Sequence, residues 1–292
     1  SLKALAALMM QGRTPVDFRV VIHRTEAEHE LSKLFANEKF PARDILDDLL
    51  KYHLLQNRTT DELEFRHQLI QEYYAAEYLL CLLPELSDEQ LKRDYLNLLK
   101  WTEAISLMLS LVNKETYALR VVKLAMDDVD LMLGARLAGE VQPAFQTTCL
   151  SWIDALEIPL RLKCQCWKTS QTVKAIPGLL KALKHQGTDV RRSAADALGQ
   201  IGSVEAIPGL LNALENSDYS VLRSVADALV QLGSAEAIPG LLNALKHQKS
   251  DVRNKAAEVL GLLGSAEAIP GLLNALEDQD PDVRWRAAEA LG

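Results

Sequence analysis

The sequence reads as a mainly α-helical chain that ends in an α-solenoid, and three features of its 292 residues carry that reading. The last 120 residues are one unit written four times: Val-Lys-Ala-Ile-Pro-Gly-Leu-Leu starts at Val173, Val-Glu-Ala-Ile-Pro-Gly-Leu-Leu at Val204, and Ala-Glu-Ala-Ile-Pro-Gly-Leu-Leu at Ala235 and Ala266. The period is 31 residues without an insertion. A fixed period of this length marks units that cannot bury their apolar faces alone and stack on their neighbours. Within each unit the apolar residues fall at helical spacing twice over. Upstream, helical spacing also dominates, and it yields to alternation only around Leu54–Arg66, where a single β-hairpin is expected.

From the N-terminus, Leu2–Gln11 predicts a helix ended by Gly12. Thr25-Glu26-Ala27-Glu28 has the spacing of a capping box and opens a helix through about Phe35. Pro41 starts another, with Ile45, Leu46, Leu49 and Leu50 on one face. Leu54–Asn57, a polar turn Arg58–Glu62 and Leu63–Arg66 make the hairpin. After it Ile70, Tyr73, Ala76 and Leu80 fall at helical spacing as a packed face. Pro84–Ser170 is Leu-rich and helical: Leu96, Leu99, Trp101 and Ala104 predict one buried helix and Val129–Leu137 another, with a break at Glu140–Pro143. The non-repetitive part ends near Lys168–Thr172, which gives three expected domains, 1–83, 84–170 and 173–292.

Each repeat reads as two helices. In the first, Ile176, Leu179, Leu180 and Leu183 share one face, and Pro177 sits in the first turn, where its missing N–H costs nothing. Gln186-Gly187-Thr188 breaks the chain. Asp189 is placed to cap the second helix, whose apolar set is Val190, Ala194, Ala197, Leu198 and Ile201, with Gly202 as its stop.

Composition narrows the function. Hydrophobic content of 48% with 25% charged residues is ordinary for a folded domain, and no apolar stretch approaches the ~20 residues needed to span a bilayer. No secretory signal is visible at Ser1-Leu2-Lys3-Ala4, so a cytoplasmic protein is expected. Four cysteines make no disulfide framework, and Cys164-x-Cys166 lacks the second ligand pair of a metal site. The formal charge is −8, and the repeats alternate between +3, −3, +1 and −4. A nucleic-acid-binding solenoid calls for a basic stripe, so nucleic acid is not the expected partner.

The repeated unit, with Asp-Val-Arg recurring at Asp189–Arg191, Asp251–Arg253 and Asp282–Arg284, resembles the HEAT repeat in the short variety first named in phycobilisome-linker and bilin-lyase proteins. The resemblance covers Val173–Gly292 and implies protein–protein recognition. Helices followed by one hairpin are the order of a winged-helix module. The segment that follows, Phe65-x-His67-x-x-x-Gln71-Glu72-Tyr73-x-Ala75-Ala76, resembles the winged-helix signature of NACHT-type STAND NTPases. These are nucleotide-controlled switches of signalling and defence. The resemblance implies that His67 contacts the β-phosphate of bound ADP in a longer protein. It also implies that ADP or ATP with magnesium is the cofactor there and that the active state can oligomerise.

This chain itself holds no Gly-x-x-x-x-Gly-Lys-(Ser/Thr), so no cofactor and no catalytic residue is assigned to it. Both ends read as cut, which gives the expectation of the regulatory and sensor region of such a switch. The alternatives are a stand-alone HEAT scaffold and a bilin-lyase-like protein. In a near-identical array, the positions that break the pattern are the candidates for recognition. Tyr219, Leu222 and Trp285 put large apolar groups where sister repeats are mostly polar. The recurrent Asp and Arg residues are expected to cap helices and bridge repeats as exposed pairs.

Overall fold

A computed structural model describes residues 2–11, 19–36, 41–216 and 219–292, without the side chains of Gln11, Asn216, Tyr219 and Ser220. The stop expected at Gly12 lies outside the described residues. Contacts divide the chain into two units, Ser1–Phe145 and Gln146–Gly292. Among the described residues, no helix is long and apolar enough to cross a membrane.

The first unit opens with α1 (Leu2–Gln11), β1 (Val21–His23), α2 (Arg24–Leu34), α3 (Ala42–Lys51), β2 (Leu55–Asn57), β3 (Glu62–Phe65) and α4 (Gln68–Leu82). Leu5, Ala6, Met9 and Met10 of α1 are buried, and the helix packs on α4, whose Ala75, Ala76 and Leu79 are buried too. The hairpin forms with Leu55 opposite Phe65, but it is not alone. β1 adds to β3 antiparallel, Ile22 opposite Leu63, in the sheet order β1-β3-β2. This corrects the single hairpin: three residues are too short to show an alternating period, and the pairing comes from burying Ile22 on Leu63. The strand runs straight into α2, since the Arg24 N–H donates to the Asp61 carbonyl at 2.8 Å. Helix α2 therefore starts at Arg24 with His23 before it, and the expected capping box of Thr25 and Glu28 does not form.

The unit continues through α5 (Asp88–Leu91), α6 (Thr102–Leu111), α7 (Glu115–Leu124) and α8 (Leu131–Glu140) into α9 (Pro143–Ala155). Ser87 and Gln90 form a capping box ahead of α5. Wide turns at Lys92–Leu96 and Ala125–Val129 extend α5 and α7. Trp101 is fully buried, edge-on to Tyr95 at 4.8 Å. Leu99, expected on the same buried face, is 93% exposed. The chain breaks at Asn97, whose amide donates to the Lys92 carbonyl at 3.0 Å, and Leu99 restarts it facing out. Gly134 lets α8 cross the second wide turn: a Cβ there would lie 2.5 Å from the Met126 Cα.

The second unit holds most of α9, α10 (Leu160–Ser170), and the pairs α11 (Ile176–Ala182) with α12 (Thr188–Ile201) and α13 (Ile207–Asn216) with α14 (Tyr219–Leu232). Two more pairs follow, α15 (Ile238–Ala244) with α16 (Ser250–Leu263) and α17 (Ile269–Ala275) with α18 (Pro281–Leu291). The eight helices after Val173 stack in register, first helix on first and second on second.

Gly202, Gly233 and Gly264 end their helices at φ of +70°, +60° and +63°, a conformation that costs glycine nothing. The Ser203, Ser234 and Ser265 hydroxyls then accept from the N–H two residues on. Gln171, 31 residues before Gly202, adopts φ +52°, and the Thr172 hydroxyl caps the following turn in the same way. Helices α9 and α10 therefore occupy the place of an earlier repeat, α10 stacking on α12 as α12 stacks on α14. The sequence change near Lys168–Thr172 is not where contacts divide the chain, because this degenerate unit keeps the turn geometry without the motif.

The glycine of Ile-Pro-Gly serves close approach. A Cβ at Gly209, Gly240 or Gly271 would lie 2.2–2.4 Å from a methyl of Leu180, Leu211 or Leu242 in the repeat before. Ahead of the first repeat the matching residue is Cys149, and the Trp167 ring covers Gly178 instead, 3.1 Å from its would-be Cβ.

Candidate functional site

The second helices carry an acid at the same place in every repeat: Asp196, Asp227, Glu258 and Glu289. Cations from the same or the adjoining helix answer them. Lys168 reaches Asp196 at 2.7 Å, and Arg286 reaches Glu289 at 2.7 Å and Glu258 at 3.5 Å. Lys255 closes on Glu258 at 2.7 Å. The four acids form a ladder along successive helices. The Asp196 and Glu289 carboxylates are exposed, and rungs of that kind contribute only about 0–1 kcal/mol each to stability, whereas Lys255 and Glu258 are largely buried.

Trp285 stands at the C-terminal end of this ladder and is 59% exposed. The Arg286 guanidinium carbon lies 4.8 Å from its ring centroid. The indole borders a shallow cleft of about 210 Å³, whose rim carries Asp251, Asp280 and Asp282. Asp280 is the N-cap of α18 and accepts from the Asp282 N–H at 2.9 Å. The Ser250 hydroxyl and then that N–H hold its carboxyl below the usual carboxylate range. An exposed ring face beside three carboxylates is chemistry for a cationic side chain.

The other candidates fall elsewhere. Leu222 is 1% exposed, which corrects its place among the surface anchors. Its column is Arg191, Arg253 and Arg284, and those side chains fold back over their own repeat. Each donates from Nη1 to two carbonyls of the loop between its helices: Arg191 to His185 and Gln186, Arg253 to His247 and Gln248, Arg284 to Asp278 and Gln279. The position thus points inward, and Leu222 fills it with carbon. Tyr219 begins α14, with its side chain outside the described residues. Asp189 lies in the first turn of α12 and is not its cap, which is Gly187. Loop carbonyls are thus the targets of this arginine ladder.

In the first unit His67 is the residue before α4, exposed and making no capping bond with its side chain. Gln71 is fully buried and donates to the Arg19 carbonyl at 3.1 Å. Glu72 accepts from Gln68 at 2.7 Å. The buried Cys164 thiol is pushed up to about 11 by burial, and Cys166 is raised by the same cause. Among the described residues, no three His, Cys, Asp or Glu side chains group as metal ligands.

Sequence reasoning passed over the acidic ladder and the Trp285–Arg286 stack. The ladder was visible as four acids 31 residues apart. The stack needed the helix orientation.

The family model of HEAT repeats matches residues 176–248 and 238–292. No curated protein matches the chain. Two crystal structures of engineered proteins are similar. One is 20% identical at a TM-score of 0.32, covering 74% of this chain and 94% of that one. The other is 17% identical at 0.31, covering 100% and 88%. At those scores neither carries an argument. The stacked two-helix units and the family match agree, and residues 176–292 are HEAT repeats.

Proposed function

We propose that this chain is a protein-recognition scaffold, and that the second helices of its repeats hold a partner segment bearing basic side chains. The observation that carries the reading is Trp285, exposed beside Asp251, Asp280 and Asp282 at the end of an acid ladder. Aromatic anchors contribute most of the affinity at such surfaces, while the charges set orientation and encounter rate. Four free thiols, three of them buried, fit a reducing compartment such as the cytoplasm.

The test is fluorescence anisotropy with a labelled lysine–leucine peptide. Binding should weaken about tenfold on Trp285→Ala and fall with added salt, with Tm unchanged. Affinity indifferent to Trp285 removes this reading.

A second reading rests on the first unit. The order α1-β1-α2-α3-β2-β3 with sheet order β1-β3-β2 supports a winged-helix module, and exposed His67 at the head of α4 is free to meet a ligand. On this reading the chain is the control and sensor region of a nucleotide-operated switch whose phosphate-binding loop lies in another part of a longer protein. In such a protein, His67→Ala should raise resting activity by removing a contact made only in the ADP-bound closed state. Unchanged resting activity refutes it.

A further inference from the structure

The first repeat differs from its sisters in charge as well as in its neighbour. Lys181 stands where later repeats have Asn212, Asn243 and Asn274. Lys184 stands where two of the three have Glu215 and Glu277. Both lysines are exposed, and neither makes an ion pair among the described residues.

Two open clefts flank them. One, about 570 Å³, lies between α10 and α11, with Trp167 and Leu160 in its floor. The other, about 620 Å³, lies between α11 and α13, with Leu180 and Pro208. Lys184 and His185 line both, so the clefts are continuous. Their linings together hold four cations, Lys163, Lys181, Lys184 and Arg191, against one carboxylate, Asp154. His185 adds a donor: its Nδ1 accepts from the Gly187 N–H at 3.0 Å, so the proton of the neutral ring sits on Nε2.

We propose that this double cleft docks an acidic peptide segment, with Lys181, Lys184 and Arg191 pairing its carboxylates and an apolar residue of the peptide resting on Trp167 and Leu180. Arg191 is already fixed by its bonds to the His185 and Gln186 carbonyls, so it loses little freedom on binding. The shape fits one or two side chains per cleft. A nucleic acid fits less well. It needs a run of phosphate contacts, and the second repeat next along the array carries a net −3.

The site is separate from the Trp285 surface, so each can fail alone. The probe is a short fluorescein-labelled peptide of aspartates and glutamates around a central leucine–phenylalanine pair, read by anisotropy at low ionic strength. Two comparison probes are the same peptide with lysine for every acid, and a labelled oligothymidylate.

On the Trp285→Ala chain, where the basic-peptide anchor is absent, the acidic peptide should bind best. Lys181→Glu with Lys184→Glu should weaken it at least about tenfold with an unchanged Tm, and Trp285→Ala should leave it unaltered. Should the charge reversal disturb folding, Lys181→Gln with Lys184→Gln should give a smaller loss in the same direction. The proposal is overturned if the acidic peptide does not bind, if its affinity ignores both lysine pairs, or if either comparison probe binds the Trp285→Ala chain, which lacks the basic-peptide anchor, more tightly than the acidic peptide does.

Discussion

Arg253 and Asp278 join successive repeats through two parallel hydrogen bonds, Nε to Oδ2 at 2.7 Å and Nη2 to Oδ1 at 2.8 Å. Their side chains are only 14% and 12% exposed. The same guanidinium holds the loop carbonyls of its own repeat, so one residue fixes a loop and ties it to the next unit. This is a different object from the exposed pair that the recurring Asp-Val-Arg implied. Its acid lies outside that motif, at a position where the sister repeats have His185, Asn216 and His247. A sequence period cannot announce a partner that appears once.

Removing the charge from this pair should therefore matter. Asp278→Asn is expected to destabilise the chain by roughly 1.5–3 kcal/mol, the range for a hydrogen bond to a charged group. Arg253→Lys should also destabilise, since an ammonium cannot reproduce the two-bonded fork. Urea unfolding checks both, and a shift within about 0.5 kcal/mol would place the pair with ordinary surface substitutions.

The pair also sets a pH dependence. Hydrogen bonding from Arg253 holds the Asp278 carboxyl below the usual carboxylate range. A carboxyl whose native value is depressed contributes fully above its unfolded value of about 3.9, and that contribution fades as pH falls through the native value. The stability gap between the wild-type chain and Asp278→Asn should be constant near neutrality and narrow below about pH 4. A gap that stays constant down to acid unfolding contradicts the assignment.

Gly261 makes a sharper test of packing. In an isolated helix Gly→Ala stabilises by about 1 kcal/mol. Here a Cβ would lie 2.5 Å from the Ala290 Cβ and 2.8 Å from its Cα, so α16 and α18 would have to separate. Gly261→Ala should destabilise by about 1–3 kcal/mol. The array already contains the comparison. Gly199 stands at the same place in α12 and also approaches its neighbour, its would-be Cβ lying 2.9 Å from the Ala228 Cα, whereas α14 has Val230 there and meets α16 less intimately. A stabilised Gly261→Ala would show that this contact relaxes freely.

The repeats were legible because each is solved by one short pattern: Ile-Pro-Gly opens the first helix, small Ala194 and Ala195 let the second approach, and Gly202 stops it. Where the pattern is absent the reading failed, although the geometry persists. Gln171 takes the left-handed turn without being glycine, and Trp167 covers Gly178 in place of leucine. In the first unit β1 was missed because its three residues are specified by Leu63 across the sheet and not by their own spacing. At the candidate site, exposure decided matters that residue type could not. Trp285 and Leu222 both break the repeat pattern, but one lies at the surface and the other inside.

Leu222 turns that difference into a measurement. As a buried side chain at 1% exposure, it should lose about 2–5 kcal/mol of stability on Leu222→Ala. A surface anchor would cost almost nothing in Tm and would instead lower partner affinity. Unchanged thermal unfolding of this variant would return Leu222 to the list of recognition residues.

The thiols report on the N-terminal end of the solenoid. Cys81 is exposed, whereas Cys149, Cys164 and Cys166 are buried. Thiolate is the reactive form, and burial pushes the Cys164 thiol up to about 11, so this group is shielded and protonated at once. Ellman's reagent at mildly alkaline pH should therefore release one fast equivalent, which Cys81→Ser abolishes, with the remainder appearing only on unfolding. Because Cys164 and Cys166 share α10, which stacks on α12, they should become reactive together in sub-denaturing urea if the degenerate repeat opens as one body. Three or more fast equivalents in the native protein, which must include Cys164 or Cys166, would show that α10 does not hold its place in the stack.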